Sequence, residues 1–159
     1  MSFASLSVKG RALRYLAQRE HSRVELERKL ARRVLDTPEH SASAQIALAL
    51  DELAAHGLIS ETRVAESVLT SGAARYGVRR LKQVLLSKGL DCELVADTLH
   101  RARATELDRA RALWQRRYGT APVNASERAR QMRFLAGRGF EGEVVRAVVK
   151  GSTNDDDPG

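Results

Sequence analysis

Residues 76–95 read YGVRRLKQVLLSKGLDCELV, which combines a short basic helix, a lysine-glycine stop and the start of another helix. Gly89 is typical of a helix C-terminus, and Asp91 is typical of an N-cap. Apolar residues at three- and four-residue steps predict the buried stripe of the first helix: Leu81, Val84 and Leu85. The stretch therefore predicts two short helices joined by a tight turn.

A second copy of this pattern lies about 40 to 50 residues further along the chain. The matched pairs are Tyr76-Gly77 with Tyr118-Gly119, Val84-Leu85 with Phe134-Leu135, Lys88-Gly89-Leu90 with Arg138-Gly139-Phe140, and Glu93-Leu94-Val95 with Glu143-Val144-Val145. An earlier unit fits more loosely, through Gly57-Leu58. Self-similarity at this spacing predicts supersecondary units that bury their apolar faces on one another.

The predicted fold is therefore all-α, an elongated tandem array of three-helix repeats. We place the repeats at residues 1–59, 60–103 and 104–150, followed by a disordered tail at 151–159 that is rich in Gly, Asn and Asp. Residues 91–118 contain no helix breaker, so they form either one long helix or two with a bend near 103–105.

Several helix ends are marked in the sequence. Ser22 and Glu25 form a predicted capping box, as do Asn124 and Glu127, and Ser60 can cap the helix that follows it. The buried faces we expect in the first repeat are Ala12, Leu13, Leu16 and Ala17, then Leu26, Leu30 and Val34, then Ile46, Leu50, Leu53 and Ala54.

The composition favours a binding protein that attracts polyanions. The 159 residues have a formal net charge of +7 at pH 7, and residues 71–90 contain five basic side chains and no acidic one. Cys92 is the single cysteine, which excludes an intrachain disulfide, and no apolar run suits a signal peptide or a membrane span. We expect a cytoplasmic monomer.

No motif for catalysis is present. The chain lacks the glycine loops of nucleotide-binding proteins and the serine motif of hydrolases. Its four histidines lie on different predicted segments, and Cys92 has no CxxC partner, so we expect no metal, no cofactor and no enzyme activity. Trp114 and Tyr118 fit a core better than a base-stacking platform.

Basic side chains are the candidates for function. Arg75, Arg79 and Lys82 follow at i, i+4 and i+7, which predicts one ridge opposite Leu81 and Leu85 with Arg80 at its edge. Such a ridge could meet a row of phosphates or carboxylates. Arg11 and Arg14 make a similar pair; a solvated helix face is the alternative for any one of these arginines.

Four stretches in order resemble the RecX family of recombinase regulators. They are Lys9 to Leu30, Gly57 to Glu66, Tyr76 to Leu81 with Lys88-Gly89, and Arg128 to Leu135 with Arg138-Gly139-Phe140. Two positions depart from the family pattern: Leu58 stands where Trp is common, and Glu61 to Glu66 replaces the common Asp-x-Arg-Phe-Ala-Glu. The resemblance spans about residues 9–150 and concerns several independent segments.

The resemblance implies tandem three-helix repeats that bind the RecA recombinase in the groove of its filament on single-stranded DNA. It further implies restraint of ATP hydrolysis, strand exchange and coprotease action. Single-stranded DNA within the filament is a second expected partner, and weak direct binding to DNA stays open. The predicted contact ridge, by its charge, is then Arg75, Arg79, Arg80 and Lys82, with Arg11, Arg14 and Arg19 as secondary candidates. A helix-turn-helix transcription regulator and a helical scaffold for another protein remain alternatives.

Overall fold

The computed structural model describes residues 6–151, and within that range the backbone forms α-helices joined by turns, with no β-strand. The helices are α1 (Val8–Gln18), α2 (Arg23–Ala31), α3 (Ala42–Ala55), α4 (Glu61–Gly72), α5 (Val78–Ser87), α6 (Cys92–Ala104), α7 (Glu106–Arg117), α8 (Ala125–Gly137) and α9 (Gly142–Gly151). The all-α prediction is confirmed. Gly151 ends α9, and the rest of the predicted tail lies outside the described residues.

The described residues pack as two compact units. The first unit comprises residues 6–67 with 87–90, and the second comprises residues 68–86 with 91–151. The predicted repeat boundaries would divide the helices of residues 6–151 into three groups of three, α1 to α3, α4 to α6 and α7 to α9. The units do not coincide with these groups, so the boundaries at 59/60 and 103/104 stay a prediction.

The core of the first unit is built from the apolar stripes of α1, α2 and α3. Its buried members are Ala12, Leu26, Leu30, Ile46, Leu50 and Leu53. The buried positions predicted for α2 and α3 are confirmed except at two residues: Ala54 is exposed, and Val34 follows the end of α2 and is half-buried against the core. The face predicted for α1 is wrong at two positions, because Leu13 is 38% exposed and Ala17 is exposed as well. Tyr15 packs against the core instead, which rotates the buried stripe of α1.

At the start of α2, the Glu25 carboxylate binds one backbone N–H group and two positively charged side chains. Its carboxylate accepts a hydrogen bond from the Ser22 backbone N–H at 2.9 Å and forms ion pairs with Arg19 at 3.0 Å and Lys88 at 2.8 Å. The Ser22 hydroxyl accepts from the Glu25 N–H in return, which confirms the predicted capping box. Burial alone raises the pKa of Glu25, but the hydrogen bonds from Arg19, Lys88 and Ser22 outweigh it and lower the pKa to about 2.

His21 is fully buried between α1 and α2. Its Nδ1 lies 3.0 Å from the carbonyl oxygen of Arg19, and its Nε2 lies 2.9 Å from the Lys29 ammonium. A neutral ring that carries its proton on Nδ1 satisfies both contacts, donating to the carbonyl and accepting from Lys29. Burial lowers the pKa of His21, and the charges of Arg19 and Lys29 act in the same direction. The Arg19 carbonyl and the Glu25 carboxylate oppose them but do not prevail.

His21 is expected to make the protein less stable as the pH is lowered. Since the folded state lowers the pKa of this ring, the unfolded chain takes up the proton first, near the ordinary pKa of about 6.5. The free energy of unfolding should be constant in this respect above pH 6.5 and decrease below it, by up to about 1.4 kcal/mol per pH unit. Urea unfolding between pH 7.5 and 5 measures the slope.

Two histidine variants identify the source of that slope. His21→Gln should abolish the part of the pH dependence between pH 6.5 and 5, whereas replacing the exposed His100 by Gln should leave it unchanged. An unaltered slope in His21→Gln would contradict the assignment.

The second unit has its own core, formed by α7, α8 and α9. Its buried members are Ala110, Trp114, Leu135, Phe140, Val145, Val148 and Val149. Trp114 is a core residue, as expected, and its Nε1–H donates to the Gln131 side-chain oxygen at 2.8 Å. Residues 91–118 contain two helices, α6 and α7, because the helix is interrupted at Thr105.

The cap of α8 differs in one detail from the predicted box. The Asn124 side chain accepts from the Glu127 N–H at 2.9 Å, as expected. The Glu127 carboxylate, however, accepts from the Val123 N–H at 3.1 Å.

Gly57 has the left-handed φ of +71° that a C-terminal cap requires, but it follows the third helix of its group. Gly89 and Gly139 each follow the second helix of their group. This difference in position explains why Gly57-Leu58 matches the repeat pattern more loosely.

Candidate functional site

The candidate site is the basic ridge, defined as Arg75, Arg79, Arg80 and Lys82, together with the elements that hold it. All four side chains are exposed. Arg79 and Lys82 lie on α5 opposite the buried Leu81 and Leu85, as predicted, and Arg80 lies on the same helix. The placement of Arg75 in the same helical phase is wrong. α5 begins at Val78, and Arg75 lies in the preceding turn, where its N–H donates to the Gly72 carbonyl.

Arg75 lies close to the rest of the ridge because it packs on the ring of Tyr76, which also contacts Arg80. The guanidinium carbon of Arg75 lies 5.8 Å from the centre of the Tyr76 ring, and that of Arg80 lies 5.6 Å from it. The faces of aromatic rings attract cations at such distances. The ring therefore gathers two of the four charges, although one of them comes from a turn and the other from a helix.

The turn before α5 is fixed by two side chains of α7, Glu106 and Arg109. Glu106 is 3% exposed, and its Oε1 accepts hydrogen bonds from the backbone N–H groups of Val78 at 3.2 Å and Glu141 at 3.0 Å. These donors lie at the N-termini of α5 and α9, where helices leave N–H groups unpaired and carry partial positive charge. One carboxylate thus caps two helices.

Arg109 binds backbone carbonyl groups at the C-terminal ends of helices. Its guanidinium donates to the carbonyls of Ala73 at 2.8 Å, Tyr76 at 2.6 Å and Ala102 at 2.9 Å, which belong to the chain after α4 and the last turn of α6. Burial lowers the pKa of Arg109, and the charge of Glu106 works against that shift. The acid at N-termini and the arginine at C-termini match the helix dipoles on both sides.

A close backbone approach joins the ridge to the end of α8. The Gly77 N–H donates to the Arg138 carbonyl at 2.9 Å, and the Arg79 N–H donates to the Gly139 carbonyl at 2.9 Å. A Cβ on Gly77 would lie 2.3 Å from the backbone of Phe140, so only glycine permits this contact. The start of α5 is therefore held by backbone contacts to the end of α8.

The end of α8 presents a second group of arginines on rings. Arg138 lies 5.3 Å and Arg117 lies 5.6 Å from the Phe134 ring, and Arg117 also lies 5.9 Å from the Tyr118 ring. Tyr118 and Phe134 meet edge to face at 5.7 Å. The Arg-Tyr pair at 117–118 repeats the pair at 75–76, so the internal repeat was the signal by which Arg117 and Arg138 could have been found from sequence.

The ridge differs from the first unit in its charge balance. Within residues 6–151 no carboxylate forms an ion pair with Arg75, Arg79, Arg80 or Lys82. Ion pairs in the first unit join Lys9 to Glu52, Arg19 to Glu25, Arg23 to Glu27 and Asp51, Arg63 to Glu20, and Lys88 to Glu25. The ridge therefore carries a net positive field that a polyanion can neutralise.

The secondary candidates lie on or next to α1, in the first unit. Arg14 is exposed, whereas Arg11 is half-buried and donates through Nε to the Leu6 carbonyl at 3.2 Å. Arg19 is committed to Glu25 and to the Glu20 carbonyl. Among the described residues no group of three or more His, Cys, Asp or Glu side chains could hold a metal ion. In the same range no helix is both long and apolar enough to cross a membrane.

Known proteins share this sequence over almost its whole length. A family model described as the third three-helix domain of RecX matches residues 104–149, and one described as its first three-helix domain matches residues 9–39. The regulatory protein RecX of Leptothrix cholodnii is 52% identical over 91% of this chain and 88% of its own. The chain belongs to the RecX family. The regulatory protein RecX of Ralstonia nicotianae is 42% identical, over 92% of this chain and 89% of its own.

A solved RecX structure agrees with the fold. RecX from Lactobacillus salivarius has a TM-score of 0.68 over 91% of this chain and 93% of its own, at 21% identity. The first-domain match ends at residue 39, shortly before α3 begins, and the third-domain match covers α7, α8 and most of α9. Residues 104–149 are therefore similar to the third three-helix domain of RecX.

Proposed function

We propose that this RecX protein binds the RecA recombinase on single-stranded DNA and restrains its ATPase, recombinase and coprotease activities by stoichiometric binding. The family and the resemblance of its sequence motifs support the partner. The observation that carries the site is the basic ridge, because its four charges have no carboxylate to neutralise them within the described residues. Acting on RecA would place the protein in the cytoplasm.

The proposed contact is electrostatic and non-catalytic. Arg75, Arg79, Arg80 and Lys82 would meet DNA phosphates or carboxylates of RecA, for which guanidinium groups have matching hydrogen-bond geometry. Binding that spans adjacent protomers would block growth or rearrangement of the filament. Arg11, Arg14 and Arg19 remain secondary contact candidates, with Arg14 the most accessible of the three. Affinity through such contacts falls as salt rises, because counterions are released on binding.

The test is RecA ATP turnover on single-stranded DNA, titrated with this protein. We expect turnover to fall. A fall at amounts far below one RecX per RecA would indicate action at filament ends, and a fall near saturation would indicate coating of the groove. Turnover that stays constant through a molar excess would contradict the proposal.

The alternative function is a helix-turn-helix regulator, favoured only by the short basic helices. It predicts sequence-specific binding to duplex DNA without RecA, persisting at moderate salt. A gel-shift comparison of specific and random duplexes at about 150 mM salt separates the two functions.

A further inference from the structure

A cavity between α8 and α9 lies apart from the basic ridge in sequence and has a different lining. Its volume is about 290 Å³, and its lining residues are Arg128, Met132, Arg146, Ala147, Val149 and Lys150. Val149 is buried and Met132 half-buried, whereas Arg128 and Arg146 are exposed. The cavity therefore combines an apolar floor with cationic side chains at its opening.

Arg128 and Arg146 form no ion pair among residues 6–151. Neither guanidinium forms an ion pair or a hydrogen bond with a described side chain. Like charges beside a low-dielectric surface focus the field and attract anions. The ligand that suits the cavity is thus an anionic chain segment whose carboxylates reach two guanidinium groups.

The chain itself supplies such a segment at the right place. α9 ends at Gly151, directly after the cavity residue Lys150, and Asp155, Asp156 and Asp157 follow four to six positions later. Four extended residues span about 14 Å. Arg146 and Lys150 are one helical turn apart, about 6 Å along the axis. Because Arg128 and Arg146 line the same cavity as Lys150, both guanidinium groups are within the reach of such a segment.

We propose that Asp155–Asp157 dock on Arg128 and Arg146 in this cavity and so compete there with external polyanions. A segment tethered this closely has an effective concentration in the millimolar range, which favours it over a dilute partner. Because the ion pairs are open to water, the docking is reversible and is screened by salt. The segment is a built-in competitor that a polyanion of higher charge displaces.

The Met132 methyl group reports on the cavity directly. Met1 and Met132 are the only methionines, so protein labelled with ¹³C at the methionine methyl groups gives two assignable signals. In Asp155→Asn/Asp156→Asn/Asp157→Asn, we expect the Met132 signal to shift by more than its line width while the Met1 signal stays in place. Raising the salt concentration should move the wild-type Met132 signal towards the variant position.

Two comparisons locate the effect. A control with three exposed acids neutralised elsewhere, Glu39→Gln/Asp97→Asn/Asp108→Asn, should leave Met132 unshifted. In an Arg128→Gln/Arg146→Gln background, neutralising the three aspartates should no longer shift Met132, which would support docking on these arginines.

Three results would overturn the proposal. One is a Met132 signal that does not respond to the aspartate substitutions. Another is a shift of equal size when both arginines are absent. The third is a Met132 signal that moves when an oligothymidylate is added but does not move when the three aspartates are replaced. That result would make nucleic-acid phosphate the occupant of the cavity. None of these readouts uses RecA, so they are independent of the proposed function.

Discussion

Reversing the four charges of the basic ridge should weaken binding to the RecA filament on single-stranded DNA by about 100-fold or more. The variant is Arg75→Glu/Arg79→Glu/Arg80→Glu/Lys82→Glu. Each reversal removes an attraction and adds a repulsion at an exposed site, at roughly 0.7 kcal/mol per position, and about 2.8 kcal/mol corresponds to a factor of about 100 in affinity. Binding is measured by co-sedimentation or fluorescence anisotropy, and inhibition of ATP turnover should decline in parallel.

The control reverses four exposed arginines elsewhere, Arg32, Arg33, Arg103 and Arg111, and so matches the change in net charge. If the ridge is the contact surface, this control should lose much less affinity than the ridge variant. Circular dichroism should show the same helicity for both variants, because none of the eight side chains is buried. Equal losses in both would mean that net charge alone drives binding and would remove the ridge from the site.

Replacing Glu106 by Ala should lower the free energy of unfolding by about 3 kcal/mol. The backbone N–H groups of Val78 and Glu141 would lose their acceptor, and each unsatisfied buried donor costs about 1–3 kcal/mol. Arg109 would also lose the nearby negative charge that offsets its burial. Denaturant unfolding followed by circular dichroism gives the difference.

Two neighbouring substitutions calibrate this value. Glu106→Gln keeps an acceptor oxygen but not the charge, so about 1–2 kcal/mol should be lost. Asp108→Ala removes an exposed acid from the same first turn of α7 and should cost less than about 1 kcal/mol. A Glu106→Ala protein as stable as Asp108→Ala would show that the double cap contributes little.

Local signals in the sequence predicted much of the fold. Ser22 with Glu25, Ser60, and Asp91 before α6 all cap their helices, since each acts on a backbone N–H within three residues. The helical periods of α2, α3 and α5 were also readable, because their buried aliphatic residues recur at three- and four-residue steps. The stripe of α1 was predicted one position off, since Tyr15 is amphipathic and its burial depends on distant α2 and α3.

The part of the site that depends on long-range contacts was not predictable. Glu106 and Arg109 look like ordinary surface charges of a helix, and their roles arise only where the ends of several helices meet. Arg75 was recognised as a candidate by charge, but its contact with Tyr76 depends on where α5 begins. Sequence thus predicted which residue types form the ridge, and the turn geometry determined how they assemble.

Arginine footprinting on the filament tests most directly whether the basic ridge is the contact surface. The protein, free and bound to RecA on single-stranded DNA, is treated with a dicarbonyl reagent, and modification at each arginine is measured by mass spectrometry. Arg75, Arg79 and Arg80 should lose most of their reactivity on binding, while Arg32 and Arg33 keep theirs. If the three ridge arginines stay as reactive as in the free protein while other arginines become protected, the ridge is not where RecA is bound.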